Sequence, residues 1–181
     1  MQFQPTAIEG VVVVVGPRHE DERGSFGRLV DEEAFAAAGL PTRFVQVSQS
    51  RNRARGTLRG MHLQAAPHEE DKLVTCTHGA AFDVVVDLRP ASASYGRWLG
   101  FELSAESGRA VFIPRGCAHG FLTTVDDTDL VYFMTTPHVA AAARGVRFDD
   151  VAFGITWPAA PTIVSARDRA WPDFDRSRGP A

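Results

Sequence analysis

Gly108-Arg-Ala-Val-Phe-Ile-Pro114-Arg-Gly116-Cys-Ala-His119 reads as a strand, a tight turn and the start of a second strand. Pro114 and Gly116 supply the fixed and the permissive backbone that such a turn needs, so His119 is carried into whatever the two strands enclose. The same punctuation recurs along the chain. Val11 to Val15 is a β-branched run between Gly10 and Gly16-Pro17, the pattern of a buried strand. Further short strands are expected at Arg43–Ser48, Gly56–Gln64, Lys72–His78, Ala81–Leu88, Trp98–Leu103, Ala118–Thr123 and Leu130–Thr135, with Gly, Pro, Ser or Asp in most gaps. Many strands at this spacing with little helix between them predict an all-β antiparallel sandwich or jelly roll. His19 to Phe26 reads as a polar turn leading into one more short strand.

Helix is sparse. Asp31-Glu-Glu-Ala-Phe-Ala-Ala-Ala-Gly39 has an aspartate cap, acids in its first turn and a terminal glycine, which predicts one short structural helix. From about Ala141 the pattern loosens, and Pro158, Pro161 and Pro172 break any long element. That segment is expected to pack across the barrel and to end in a frayed tail over 172–181.

The 181 residues suit one domain spanning 1–181. A 44% hydrophobic and 23% charged composition is that of an ordinary soluble domain. The net charge of −3 and a pI near 6.1 argue against nonspecific nucleic-acid binding. Cys76 and Cys117 lack CxxC spacing and read as reduced, buried thiols. The N-terminus has no basic-then-apolar leader pattern, and Val11–Val15 is too short to span a bilayer, so a cytoplasmic protein away from membranes is expected.

The chemistry concentrates in Arg55-Gly-Thr-Leu-Arg59-Gly-Met-His62-Leu-Gln64. A buried strand rarely holds so many polar groups unless they face a cavity, because each needs a partner. At period two, Leu58, Gly60, His62 and Gln64 share one face and Thr57, Arg59, Met61 and Leu63 the other. An imidazole titrates near neutral pH, which makes His62 a candidate base. Asp83 and Asp87 alternate with valines and could orient groups on that cavity.

The turn before His119 resembles the second motif of the cupin superfamily, whose fold is a double-stranded β-helix, or jelly roll. Metal-binding cupins place a His-x-His pair in their first motif; here that stretch is His62-Leu-Gln64, a ligand set too short for a first-row metal. No metal and no other cofactor is expected. Arg59-Gly-Met-His62-Leu-Gln64, Lys72-Leu-Val, Phe82-Asp83-Val-Val-Val-Asp87-Leu-Arg89, Ile113-Pro-Arg-Gly-Cys-Ala-His119-Gly-Phe121, Gly154-Ile-Thr-Trp157-Pro158 and Ser165-Ala-Arg-Asp168 stand in an order that resembles dTDP-4-dehydrorhamnose 3,5-epimerase. The resemblance runs from about Gly10 to Pro172. It implies a metal-free, cupin-fold homodimer that inverts C3 and C5 of a nucleotide-linked 4-keto-6-deoxyhexose in deoxysugar biosynthesis.

Such an inversion requires a base, a cation at the ketone oxygen and an acid across the ring. The resemblance implies that His62 is the base, Asp168 its partner, Lys72 the enolate support and Tyr132 the proton donor on the far face. It also implies that Arg23, Arg59 and His119 meet the diphosphate or nucleotide, with Arg23 and Phe26 reaching the partner subunit's site. The sequence departs from the family at Arg28, Ser48, Phe133, Pro137-His138, Ala143 and Arg167, which replace a glutamate, an asparagine, a lysine, an aromatic, a glutamate and a lysine. Gln46, Ser48, His138, Arg28 and Arg167 are therefore expected at the substrate, in surroundings where CDP, GDP or UDP could stand in for dTDP. Epimerisation at C3 alone, ketoisomerisation and sugar-nucleotide binding without catalysis are the alternatives; a metal-dependent cupin is a further one.

Overall fold

Glycine, proline and short polar stretches end each hydrophobic run, and the chain folds into strands that pair with distant partners. The computed structural model describes residues 1–177. In chain order the elements are β1 (Gln2–Pro5), β2 (Val12–Val15), β3 (Arg18–Asp21), β4 (Gly24–Gly27), α1 (Glu32–Ala37), β5 (Gln46–Asn52), β6 (Thr57–Gln64) and β7 (Lys72–His78). They continue as β8 (Ala80–Asp87), β9 (Trp98–Ser104), β10 (Arg109–Ile113), β11 (Cys117–Thr123), β12 (Thr128–Met134), β13 (Ala143–Gly145), β14 (Ile163–Val164) and α2 (Ala166–Arg169). One sheet runs β1-β2-β10-β7-β12-β5 and the other β13-β6-β11-β8-β9, with β14 added in parallel to β6. This is the expected jelly roll. No helix among the described residues is long and apolar enough to cross a membrane.

Alternation sorts each strand between core and cover. Val74, Cys76, Val111 and Leu130 of the first sheet meet Ala81, Val85, Leu103 and Phe121 of the second in a buried layer. The opposite face of the second sheet presents Met61, Leu63, Val84, Val86 and Ala118, covered by Val146, Phe153, Trp157 and Phe174. The C-terminal segment thus packs across the barrel as its sequence suggests. Helix α1 starts where the Asp31 side chain accepts the Ala34 N–H at 3.0 Å, and it buries Phe35 edge-on to Phe3 and Phe44.

Strands β1 and β5 and the tail depart from expectation, as does β3, which pairs with β4 where the sequence from His19 reads as a polar turn. Strand β5 lies at Gln46–Asn52 rather than Arg43–Ser48, because its serines are not turn residues; every position from Gln46 to Asn52 pairs with β12. Strand β1 has no apolar run of its own and forms by pairing with the valines of β2. The tail is not frayed over 172–177. The Phe174 N–H donates to Asp150 at 2.6 Å, Arg147 meets Asp173 at 2.8 Å, and the Phe174 ring tilts onto Phe153. The remainder of the expected tail, 178–181, lies outside the described residues.

Both cysteines are free and buried. Burial pushes the Cys117 thiol up to about 12 and raises Cys76 as well, so neither is a ready nucleophile.

Candidate active site

Between the two sheets the apolar filling gives way to a cavity of about 640 Å³, within the ~300–1,000 Å³ usual for small-molecule sites. Strands β6 and β11 supply its wall on one side, and β5, β7 and β12 supply the other.

Strand β6 does not hold strict alternation. His62 pairs with His119, but Arg59 pairs with Phe121, so three steps along β6 match two along β11. The extra residue is a β-bulge, and it turns Arg59 onto the same face as His62 while Leu58 and Leu122 pack together outside. The even-spaced reading, which put Arg59 opposite His62, is corrected by this bulge. Gly60 permits it: its φ is +142°, and a Cβ there would stand 2.5 Å from the Gly120 Cα.

His62 is held from below. Its Nε2 lies 2.6 Å from Asp168 Oδ1, while Asp168 Oδ2 accepts the Gly60 N–H at 3.3 Å. Asp168 is brought in by α2, whose N-cap Ser165 accepts the Asp168 N–H at 3.1 Å. A buried carboxylate facing Nε2 makes that nitrogen the protonated one and leaves Nδ1 with its lone pair. The imidazole is 42% exposed while Asp168 is 5% exposed, so the ring faces the cavity and the acid stands behind it.

Burial opposes the Asp168 charge, but the His62 ring, the Gly60 N–H and Ser165 outweigh it and hold the carboxyl below its usual range. A depressed folded-state pKa contributes stability above the unfolded value, near 4, and loses it as pH falls through the folded value. Asp168→Asn should therefore melt below the wild type at pH 7. Melting curves between pH 7 and 3 should show the gap closing below about pH 4.

On the facing sheet, Tyr132 lies between Ser48 on β5 and Val74 on β7, with its ring edge-on to His119 at 5.7 Å. Burial, with the nearby Asp83 charge, pushes its phenol up, against a smaller downward pull from Arg59. A tyrosine phenol is protonated at neutral pH even without that shift, and the shift makes its proton harder to give up. His119 Nε2 lies 2.7 Å from Asp83, so Asp83 does orient a cavity residue. Asp87 does not: it is bonded by Arg89, Ser92 and Ser94 in the turn after β8.

Lys72 enters between the sheets, its Nζ 2.9 Å from Glu70 and 3.3 Å from the His62 carbonyl. Sequence reading missed Glu70, although two residues apart on an extended chain is the spacing that puts it beside Lys72. It also left out Arg144, which lines the cavity while donating to the Ala141 and Ala143 carbonyls.

Ser48, Arg59, His119, His138 and Arg167 also line the cavity. Gln46 does not; its side-chain oxygen accepts the His138 N–H at 2.7 Å and so fixes the loop that carries His138. Arg23, Phe26 and Arg28 are likewise absent from the cavity of a single chain. Strands β3 and β4 form a separate two-stranded hairpin on which Phe26 is 75% exposed and Arg23 pairs with Asp21; just after it, Arg28 pairs with Asp31, the N-cap of α1. The cavity's two acids, Glu70 and Asp168, are each taken up by a neighbour, which leaves Arg59, Arg144 and Arg167 as surplus cations for an anionic ligand. No three His, Cys, Asp or Glu among the described residues converge as metal ligands.

The model of the family described as dTDP-4-dehydrorhamnose 3,5-epimerase matches residues 5–176. The chain belongs to that family. It is an epimerase. A dTDP-4-dehydrorhamnose 3,5-epimerase of Sinorhizobium fredii is 40% identical over 175 residues, covering 96% of this chain and 90% of the relative. A dTDP-4-dehydrorhamnose 3-epimerase of Streptomyces niveus is 38% identical over 170 residues, covering 93% and 82%. The crystal structure of the Bacillus anthracis 3,5-epimerase with TDP and pyrophosphate bound superposes with a TM-score of 0.92 at 32% identity, covering 96% of this epimerase and 99% of that chain.

Proposed function

We propose that this epimerase inverts C3 and C5 of a dTDP-linked 4-keto-6-deoxyhexose, with His62 as base and Tyr132 as acid. The observation that carries the reading is the His62–Asp168 contact at 2.6 Å on one cavity wall, with the Tyr132 phenol on the sheet opposite. A base and an acid on opposite walls can act on opposite faces of one sugar ring.

In this reading His62 Nδ1 takes the proton from C3, and the C–H electron pair moves into the C3–C4 bond. The carbonyl pair moves onto the C4 oxygen, where the Lys72 ammonium meets the negative charge. Tyr132 then delivers its proton to the other face of C3, and the carbonyl re-forms. The same cycle at C5 completes the inversion once solvent has restored both groups. Asp168 stabilises the imidazolium that His62 becomes.

Arg59 and His119 contact the diphosphate, and Ser48, His138 and Arg167 contact the nucleotide. Arg23, Phe26 and Arg28 complete the site from the partner in a cytoplasmic homodimer, which accounts for a hairpin that leaves Phe26 uncovered. Incubation with the dTDP substrate in D₂O tests the reading. Two deuterons should enter, at C3 and C5, and the CDP, GDP and UDP analogues should turn over at least about tenfold more slowly, as expected of a site that hydrogen-bonds its ligand. One deuteron would assign a C3-only epimerase, and none would leave a sugar-nucleotide-binding protein.

A further inference from the structure

We infer that Asn52, which lies outside the cavity lining, is the positioning residue that aims the Arg59 guanidinium at the diphosphate. The inference rests on the reading of Arg59 as a diphosphate contact.

Asn52 is the last residue of β5 and is buried, at 2% exposure. Its side-chain Nδ2 donates to the Thr128 carbonyl at 2.9 Å and to the Ser50 carbonyl at 3.2 Å. Two acceptors on that side fix the carboxamide the other way round, with Oδ1 turned towards β6. There Oδ1 accepts from Arg59 Nε at 2.8 Å, with Ser50 Oγ at 3.4 Å as a second, longer donor. The amide therefore spans the two sheets, from the β5–β12 pair to the bulged part of β6.

Arg59 itself is exposed to the cavity, and its two terminal nitrogens have no hydrogen-bond partner among the described residues. A guanidinium held through Nε alone keeps its forked end free, which is the end that matches phosphate oxygens. A long side chain already fixed in its binding pose loses less freedom when the ligand arrives. Aspartate would not serve at position 52: one of its oxygens would face two carbonyl oxygens.

The test is a double-mutant cycle of Asn52→Ala and Arg59→Ala in the full chain, read as dTDP affinity by calorimetry, with melting curves to confirm folding. Asn52→Ala should weaken dTDP about tenfold in the wild-type background, the equivalent of one hydrogen bond to a charged group. In the Arg59→Ala background it should change affinity less than about twofold, because there is nothing left to aim. Should Asn52→Ala fail to fold, Asn52→Ser takes its place in the cycle: its hydroxyl is too short to reach Nε. Equal weakening in both backgrounds, or none in either, overturns the role of Asn52. Wild-type affinity in Arg59→Ala alone instead overturns the diphosphate reading of Arg59.

Discussion

His62→Ala should abolish deuterium incorporation at C3 and at C5 together, lowering turnover by roughly 10²–10⁴-fold, the range general base catalysis contributes. In the proposed mechanism one imidazole serves both carbons, so exchange at both is lost together. Of the other acids and bases lining the cavity, Glu70 holds Lys72 and His119 is bound to Asp83, while His138 sits on the loop that Gln46 fixes. The variant also leaves Asp168 behind the cavity wall with Gly60 as its remaining backbone donor. Part of any loss could then come from a displaced α2 rather than a missing base. His62→Gln separates the two, since its amide can still donate towards Asp168 while offering no basic nitrogen. Both variants should lack exchange, measured by NMR in D₂O, while the glutamine variant melts closer to the wild type. Exchange persisting in either would remove His62 from the role of base.

His62 and Lys72 were legible as candidates because they sit in short, punctuated strands, whereas Asp168 on α2 and Tyr132 in an apolar run stood out only through the family resemblance. Pro114 and Gly116 mark the turn that delivers His119, and the ordered motifs around His62, Lys72 and Asp168 stand apart from the valine runs beside them. What escaped depends on pairing between distant strands. Arg59 shares a face with His62 through a bulge against β11; Gly60 is the one local sign of it, and only the pairing with β11 shows where the extra residue falls. Asn52 closes a serine-rich strand whose polar residues read as a turn until β12 is placed beside it. Phe174 follows Pro172 in a segment with no periodicity, yet Asp150 and Phe153 hold it in place.

Tyr132→Phe should divide exchange from inversion. The substitution removes one hydroxyl and keeps the ring, so the edge-on contact with His119 and the packing against the core layer survive and the fold should be unaffected. His62, Asp168 and Lys72 remain, so the C3 proton still leaves and solvent deuterium still returns from the His62 side, which restores the original configuration. Exchange should therefore stay within about tenfold of the wild type, while inversion falls by about 10²-fold or more through loss of the general acid. Burial and the Asp83 charge raise the cost of the tyrosinate formed when the proton leaves, and Arg59 offsets part of that cost. Product analysis beside deuterium counting distinguishes the outcomes. If the phenylalanine variant inverts C3 at the wild-type rate, the proton on the far face comes from another group, and the opposition of β6 to β12 across the cavity is not the basis of the stereochemistry.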